Sequence, residues 1–379
     1  MIVSKLFTQV IFVCFLMLTP SIISAQKNPA IISKQVTAVD SIEDEFDVNE
    51  MIMHHVKDAH EWHLWGSEHE GVSLHLPVIL YDNGFKVFSA SHFYHGLNVL
   101  DKDAKTGEKL SYLVGKGPAA GYALFHEKIY SLSEGKLHFK DGHPHNAMPL
   151  DLSITKNVTS LFFGAFLLLI IMFSMAKFYK KNGSVAPKGI AKFLEPLVLL
   201  VQDDIAKANI GEAKYKKYVP YLLTAFFFIL LNNLLGMVPI LPGGANLTGN
   251  ISVTLFLALF TLLITVFSGN KNYWRHIFAT PGVPIPILII MVPIEIIGIF
   301  TKPIALMIRL FANVTAGHII ILALISLIFI NKSIAWSALS VPMALFISIL
   351  ELLVAFLQAY LFTMLSALFI GAAVEEAHH

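Results

Sequence analysis

Between Pro284 and Ile330 the chain runs for 47 residues in which only Glu295, Lys302, Arg309 and His318 can ionise. As one α-helix this stretch would be roughly 70 Å long, more than twice the thickness of a bilayer's hydrocarbon core. It must be strongly tilted, bent at Pro293 or Pro303, or divided into two crossings. Composition points the same way, with 55% hydrophobic and 14% charged residues, which excludes an ordinary soluble globule. A net charge of +1 leaves no electrostatic footprint for nucleic acid.

Other apolar segments frame this one. A first span is predicted from about Leu152 to Phe178, and the lysines around its end (Lys177, Lys180, Lys181, Lys188, Lys192) mark the cytoplasmic side by the positive-inside bias. The run "AKFLEPLVLLVQDDIAKANIG" is too charged to span and has apolar residues at helical spacing, so it is expected along the cytoplasmic interface. A second span, about Val219 to Leu241, returns outward, and a third, Ile251 to Ser268, goes in ahead of Lys271 and Arg275. Val341 to Ala373 is again long for one perpendicular crossing. The expected architecture is an all-α polytopic membrane protein of about five transmembrane helices that include a long tilted two-helix hairpin, with a cytoplasmic C-terminus. Hydropathy alone also allows six crossings.

Ahead of these spans, residues 1–25 have a basic start at Lys5, an apolar core from Leu6 to Leu18, and small residues at Ser24 and Ala25. They read as a signal peptide cleaved near Ala25, or else as a retained signal anchor; in both cases the adjoining polar segment is exported. Cys14, the single cysteine, lies inside this segment. Residues 26–151 form the next domain, a small β-containing extracytoplasmic one. Its lead-in "QVTAVDSIEDEFDVNE" is acidic, and short alternating runs such as "VSLHLPVILYD" and "GKLHFKDG" come after it, with turn signals at Asn83-Gly84 and Asp141-Gly142. Residues 152–379 are the membrane domain.

Ionisable side chains at membrane depth cost on the order of 2.5 to 3.5 kcal/mol each, so each is a functional hypothesis by default. Glu295, Lys302 and Arg309 are spaced by seven and form one slowly drifting stripe on a continuous helix, with Asn313 one turn after the arginine. His318, nine residues from Arg309, falls half a turn out of phase and faces away. Glu351 and Gln358, again seven apart, share a face of the final helix. The pattern suggests an arginine facing one partner and an acid and an imidazole facing a separate wet pathway. Blander readings stand beside it: Lys302 and Glu295 as snorkelling or interfacial ion pairs, His318 as a helix-packing residue, and Arg309 in a buried salt bridge with Glu351 or Glu295.

The runs "KPIALMIRLFANVTAGH" and "LELLVAFLQAYLFTML" resemble the signature of subunit a of the F-type ATP synthase, and "FFFILLNNLLGMVPILPGGANLTGNISVTLFLAL" resembles that family's second and third spans. The similarity covers about residues 152 to 375. It implies a stator that is not catalytic by itself and needs no cofactor or metal. It also implies, as partners, a ring of c subunits, a b-subunit peripheral stalk, the rest of the synthase and the lipid of a bacterial inner membrane. Arg309 matches the family's essential arginine, Asn313 the polar residue one turn later, and Gln358 the glutamine of the last helix; Glu295 falls at a position often acidic. Many bacterial members carry an acid where His318 stands and a histidine where Glu351 stands. The reversed pair suggests that the two work across two helices, in proton delivery through the extracytoplasmic half-channel. The exported domain is outside what the resemblance explains.

In that domain His54, His55, His60, His63 and His69 lie close in sequence, and "HEWH" sets two imidazoles three apart. The His-Glu-X-X-His spacing of zinc proteases is missing, so a metal site competes with solvated or proton-buffering histidines. Two rivals concern the whole chain. A secondary transporter with Arg309 binding an anionic substrate predicts self-similar halves, which the sequence does not display. An anchor for the exported domain is the other.

Overall fold

A computed structural model describes residues 52, 57–65, 72–102, 107, 109–183, 189–238, 244–279 and 283–376. The signal segment and the acidic lead-in lie outside them. The chain separates into two compact units that divide between Thr159 and Ser160.

The N-terminal unit is built from antiparallel strands: β1 (Glu61–Trp65) with β2 (Val72–His75), β3 (Pro77–Tyr81) with β4 (Phe85–Ser89), then a short helix α1 (Ser91–Tyr94). A four-stranded meander comes next, β5 (Leu97–Lys102), β6 (Lys109–Val114), β7 (Tyr122–Phe125) and β8 (Lys128–Ser131). Short β9 (Phe139–Lys140) pairs with β10 (His143–Pro144), and β11 (Leu150–Asp151) returns to pair with β3. The alternation in "PVILY" is realised, with Val78 and Leu80 buried against Phe88, Phe93 and Ile129. Tight turns sit where the Asn-Gly and Asp-Gly pairs demand positive φ, at Asn83-Gly84 and Asp141-Gly142. A third turn, His126-Glu127, has φ of +48° and +65° with no glycine at all. That conformation is uncommon for such residues.

The first long helix, α2 (Lys156–Asn182), starts four residues later than the sequence expectation of Leu152. The reason is that residues 152–154 stay in the sheet: the Leu152 and Ile154 amides donate to the carbonyls of Ile79 and Pro77, and the Ser153 hydroxyl accepts from the Ile79 amide at 3.1 Å. Asp58 then caps the helix start, accepting from the Asn157 amide at 2.9 Å and the Thr155 hydroxyl at 3.0 Å.

Beside this cap His60 is 2% exposed. Its Nε2 lies 3.4 Å from Asp151 and its Nδ1 3.9 Å from Glu127, ion-pair distances without hydrogen-bond alignment. Burial alone would lower the imidazole's pKa, but the two carboxylates outweigh it and raise the value to about 9. The same contact holds Asp151 below its ordinary range, against the opposing effect of its burial. Of the neighbouring histidines, His54, His55 and His69 lie outside the described residues, as does the side chain of His63.

In the C-terminal unit α2 is followed by α3 (Ile190–Leu199), a π-helical run Leu200–Lys207 and a last helical turn Ala208–Ile210. Then come α4 (Tyr215–Met237), α5 (Ile251–Ser268), the short α6 (Lys271–Phe278), α7 (Ile285–Ile330) and α8 (Ser337–Val374). Among the described residues, five helices are long and apolar enough to cross a membrane. The long stretch is one unbroken helix, with Pro293 and Pro303 inside it, and α8 pairs with it as a hairpin. The centre is α4, in which every residue from Tyr218 to Leu230 is buried. A polar seam ties it to its neighbours, since the Tyr221 hydroxyl lies 2.7 Å from that of Thr261 on α5, which lies 3.1 Å from that of Ser366 on α8. Any Cβ at Gly164 of α2 would collide with the Asn232 amide of α4, so glycine is required there for the two helices to meet. At the C-terminal end of α8, Lys214 donates to the Val374 carbonyl and Asn270 to that of Glu375.

Because the folded pKa of His60 lies above its ordinary value of 6.5, its ion pairs contribute fully below pH 6.5 and are lost as pH rises through about 9. Hydrogen exchange of strands β1, β3 and β11 in the full chain should therefore accelerate between pH 7 and 10 beyond the intrinsic base-catalysed rate. His60→Gln should remove this alkaline limb and leave a uniformly weaker junction.

Candidate functional site

Helices α7 and α8 place the six predicted residues on two sides. Arg309 is exposed on α7 and makes no ion pair among the described residues, so the buried salt bridge with Glu351 or Glu295 is not formed. It stands among exposed apolar residues, with Ile304 and Ile308 at 46% and 52% exposure. A guanidinium cannot discharge itself to relieve that position. The outer flanks of both helices are apolar over most of their length, from Ile287 and Ile294 on α7 to Phe346 and Leu353 on α8. Such a face belongs against lipid or another apolar subunit.

His318 lies inside. Its Nδ1 is 3.3 Å from Oε1 of Glu351 on α8, with side-chain exposures of 19% and 9%. The sequence phase between Arg309 and His318 is thus resolved into two environments, one open and one enclosed. Glu351 Oε1 has no hydrogen-bond partner among the described residues. It borders a small cavity lined by Asn233 and Met237 of α4, Asn313 and Val314 of α7, and Val354 and Ala355 of α8, with room for about one water molecule. A buried carboxylate lining a water-sized cavity, with the amides of Asn233 and Asn313 in the same wall, is equipped to exchange a proton.

Asn313 departs from the simple division. It is exposed on the side of Arg309 and also lines the cavity with Glu351, so it stands between the two environments. Gln358 is 3% exposed, two turns along α8 from Glu351. Glu295 is half-buried, four turns from Arg309 and outside the cavity. Lys302 is exposed with its ammonium 5.7 Å from the Phe369 ring, a cation–π contact rather than a site residue.

Sequence reasoning missed the α4 contribution. Asn233 is buried, receives a 2.6 Å hydrogen bond from the Thr248 hydroxyl and reaches the Ala355 carbonyl at 3.4 Å. The Asn232-Asn233 doublet in an otherwise apolar span was the available signal. Two glycines also shape the pocket. A Cβ at Gly317 would stand 3.0 Å from Glu351 Oε1, and one at Gly236 would stand 3.2 Å from the Ala245 carbonyl and 3.8 Å from His318 Nε2.

Residues 158–371 match the family model described as ATP synthase A chain. The chain belongs to the ATP synthase A chain family. Residues 51–152 match a second model, described as a domain of unknown function (DUF8433). An ATP synthase subunit a 2 of Chlorobaculum tepidum is 54% identical over 234 residues, covering 60% of this chain and 65% of the relative, just under two thirds of its length. An ATP synthase subunit a of Chloroherpeton thalassium is 47% identical over 261 residues, 64% of this chain and 77% of the relative. The similarity to an ATP synthase subunit a 2 of Prosthecochloris aestuarii reaches further, 44% over 319 residues, covering 81% of this chain and 93% of the relative. This family member therefore shares with that relative a stretch longer than its membrane unit alone.

Gly317→Val should separate the acid from the imidazole, because the added methyls would need the space that Glu351 Oε1 occupies. In a Cys14→Ser background, His318→Cys/Glu351→Cys should form a disulfide under mild oxidation, and adding Gly317→Val should reduce its yield several-fold while the subunit still inserts.

Proposed function

We propose that this chain is the membrane stator subunit of the Fo part of an F-type ATP synthase, a non-catalytic subunit that conducts protons through two half-channels past a rotating c-ring. The observation that carries the reading is the separation of Arg309, exposed and without an ion pair among the described residues, from the His318–Glu351 pair enclosed at 3.3 Å. A ring carboxylate passing Arg309 at about 4 Å would gain roughly 4 kcal/mol in its charged form at an effective dielectric of 20. It would release its proton there and regain one only from the other half-channel. Lysine would serve poorly, because a desolvated ammonium can itself shed its proton.

His318 and Glu351, with Asn313, Asn233 and the cavity between them, are assigned to delivery in the extracytoplasmic half-channel. An imidazole and a carboxylate 3.3 Å apart can exchange a proton directly, and the carboxylate can exchange one with a water in the cavity that Glu351 lines. Gln358 is assigned to the helix face behind the arginine, and Glu295 to a polar vestibule. The driving force is about 2.3 kcal/mol per proton per 100 mV, so several protons are accumulated by the ring for each ATP. The exposed apolar flanks of α7 and α8 suit the c-ring, and the assignment implies a b-subunit peripheral stalk and the rest of the synthase as further partners. The subunit would be multi-pass in a bacterial inner membrane, with residues 1–25 a signal peptide, residues 26–151 extracytoplasmic and the C-terminus cytoplasmic. The lysines at the end of α2, Lys180 and Lys181, support that orientation.

Arg309→Ala should abolish ATP-driven proton pumping in inverted vesicles and open a passive leak, with the complex still assembled. Retained pumping would sink the stator reading. Arg309→Lys should pump poorly and leak increasingly at alkaline pH. Single variants His318→Glu and Glu351→His should each lose most pumping, and the double exchange should recover part of it, because the pair keeps one acid and one imidazole across the same two helices.

A further inference from the structure

The sheet of β11, β3 and β4 has two unlike faces. Inward it packs Val78, Leu80 and Phe88 into the core. The strand pairing sets Leu150, Tyr81 and Phe85 side by side on the outward face. The next row is Leu152, Ile79 and Val87, because Leu152 continues β11 along β3 through its bond to the Ile79 carbonyl. Ile154 extends the face one row further, beside Pro77. Tyr81, Phe85 and Val87 are 48%, 70% and 66% exposed.

No charge of these strands interrupts this face. Lys86 points to the other side, where its ammonium meets the Tyr122 hydroxyl at 2.8 Å, and Asp151 points to His60. The outward side of a half-buried antiparallel sheet is ordinarily polar. An uninterrupted apolar face of this kind marks an interaction surface.

We propose that this face rests on the outer leaflet of the membrane, its side chains entering the boundary between headgroups and acyl chains. The occupant is dictated by chain continuity. The strand that carries Leu150, Leu152 and Ile154 runs on through Thr155 directly into α2, the first membrane-crossing helix. At about 3.3 Å per extended residue, Leu150 lies within roughly 20 Å of the helix start. The apolar face is therefore covalently held at the height of a bilayer surface. Its chemistry fits lipid better than protein. Aliphatic side chains with the paired rings of Tyr81 and Phe85, whose centroids are 5.2 Å apart, suit the interfacial zone. A specific protein partner would call for a polar rim with arranged hydrogen bonds, and the face offers just the Tyr81 hydroxyl and Ser89. The inference rests on the membrane location of the chain and not on the proton path.

The test uses the full-length chain in a Cys14→Ser background, reconstituted in liposomes of phosphatidylethanolamine and phosphatidylglycerol. Nitroxides are placed at Phe85→Cys, Val87→Cys and, as a control at the exposed start of β8, Lys128→Cys. Power saturation should find collisions with oxygen exceeding those with a water-soluble nickel chelate at positions 85 and 87, and the reverse at 128. Nickel access dominating at 85 and 87 would overturn the proposal, and so would low access to both reagents, which would mean cover by protein. As a check free of substitutions, a lipid-soluble carbene photolabel in native membranes should modify residues 77–89; an unlabelled segment would overturn it too.

Discussion

A charge that cannot be titrated away, held on the open flank of an apolar helix, is the constraint around which the membrane unit is arranged. Desolvating a guanidinium is costly, and no carboxylate among the described residues offsets it. The surrounding architecture makes that position tenable. A 46-residue helix and a 38-residue helix run side by side, so Arg309 is carried on two rigid supports rather than on a loop. The hairpin is braced by α4, buried on every side, and by the Tyr221–Thr261–Ser366 seam across three helices. Within the same frame His318 and Glu351 are kept off the open face by half a helical turn.

Much of this was legible in the sequence because membranes impose few solutions. Apolar length located the spans while leaving five or six crossings open, and a periodicity of 3.6 separated Arg309 from His318 without any knowledge of packing. Three features were not legible. Residues 152–154 are apolar enough to extend the first span, yet they continue a sheet, since their partners on β3 lie more than 70 residues earlier and hydropathy carries no record of pairing. Asn233 entered the site unannounced for a related reason: its value depends on Thr248 and Ala355, far from it in sequence. The Asn-Gly and Asp-Gly turns were readable from backbone preference, whereas the His126-Glu127 turn was not, because it takes positive φ at two residues without the glycine that usually signals it.

The N-terminal unit is joined to the first helix with unusual firmness. Asp58 caps the helix from a segment almost one hundred residues away, and His60 sits between two carboxylates from β11 and from the β7–β8 turn. No free linker intervenes between sheet and helix; a single residue, Thr155, separates them, and it is itself hydrogen-bonded. Buried charges of this kind rarely add stability, but they tolerate few alternative arrangements. Here they hold the first residues of α2 against the strands of the N-terminal unit.

The burial of α4 bears on biogenesis. Its interior faces carry Tyr221 and Asn233, whose side-chain bonds in the finished bundle run to α5, to α8 and to the loop before α5. During synthesis α4 enters the bilayer before any of those later partners exists. A half-made subunit therefore exposes the Tyr221 phenol to lipid until α5 arrives, and leaves the Asn233 amide without its α8 carbonyl until the last helix is made. Completion of α8 is the step that converts this vulnerable intermediate into a settled bundle, which makes the C-terminal helix a checkpoint of assembly as well as a wall of the site.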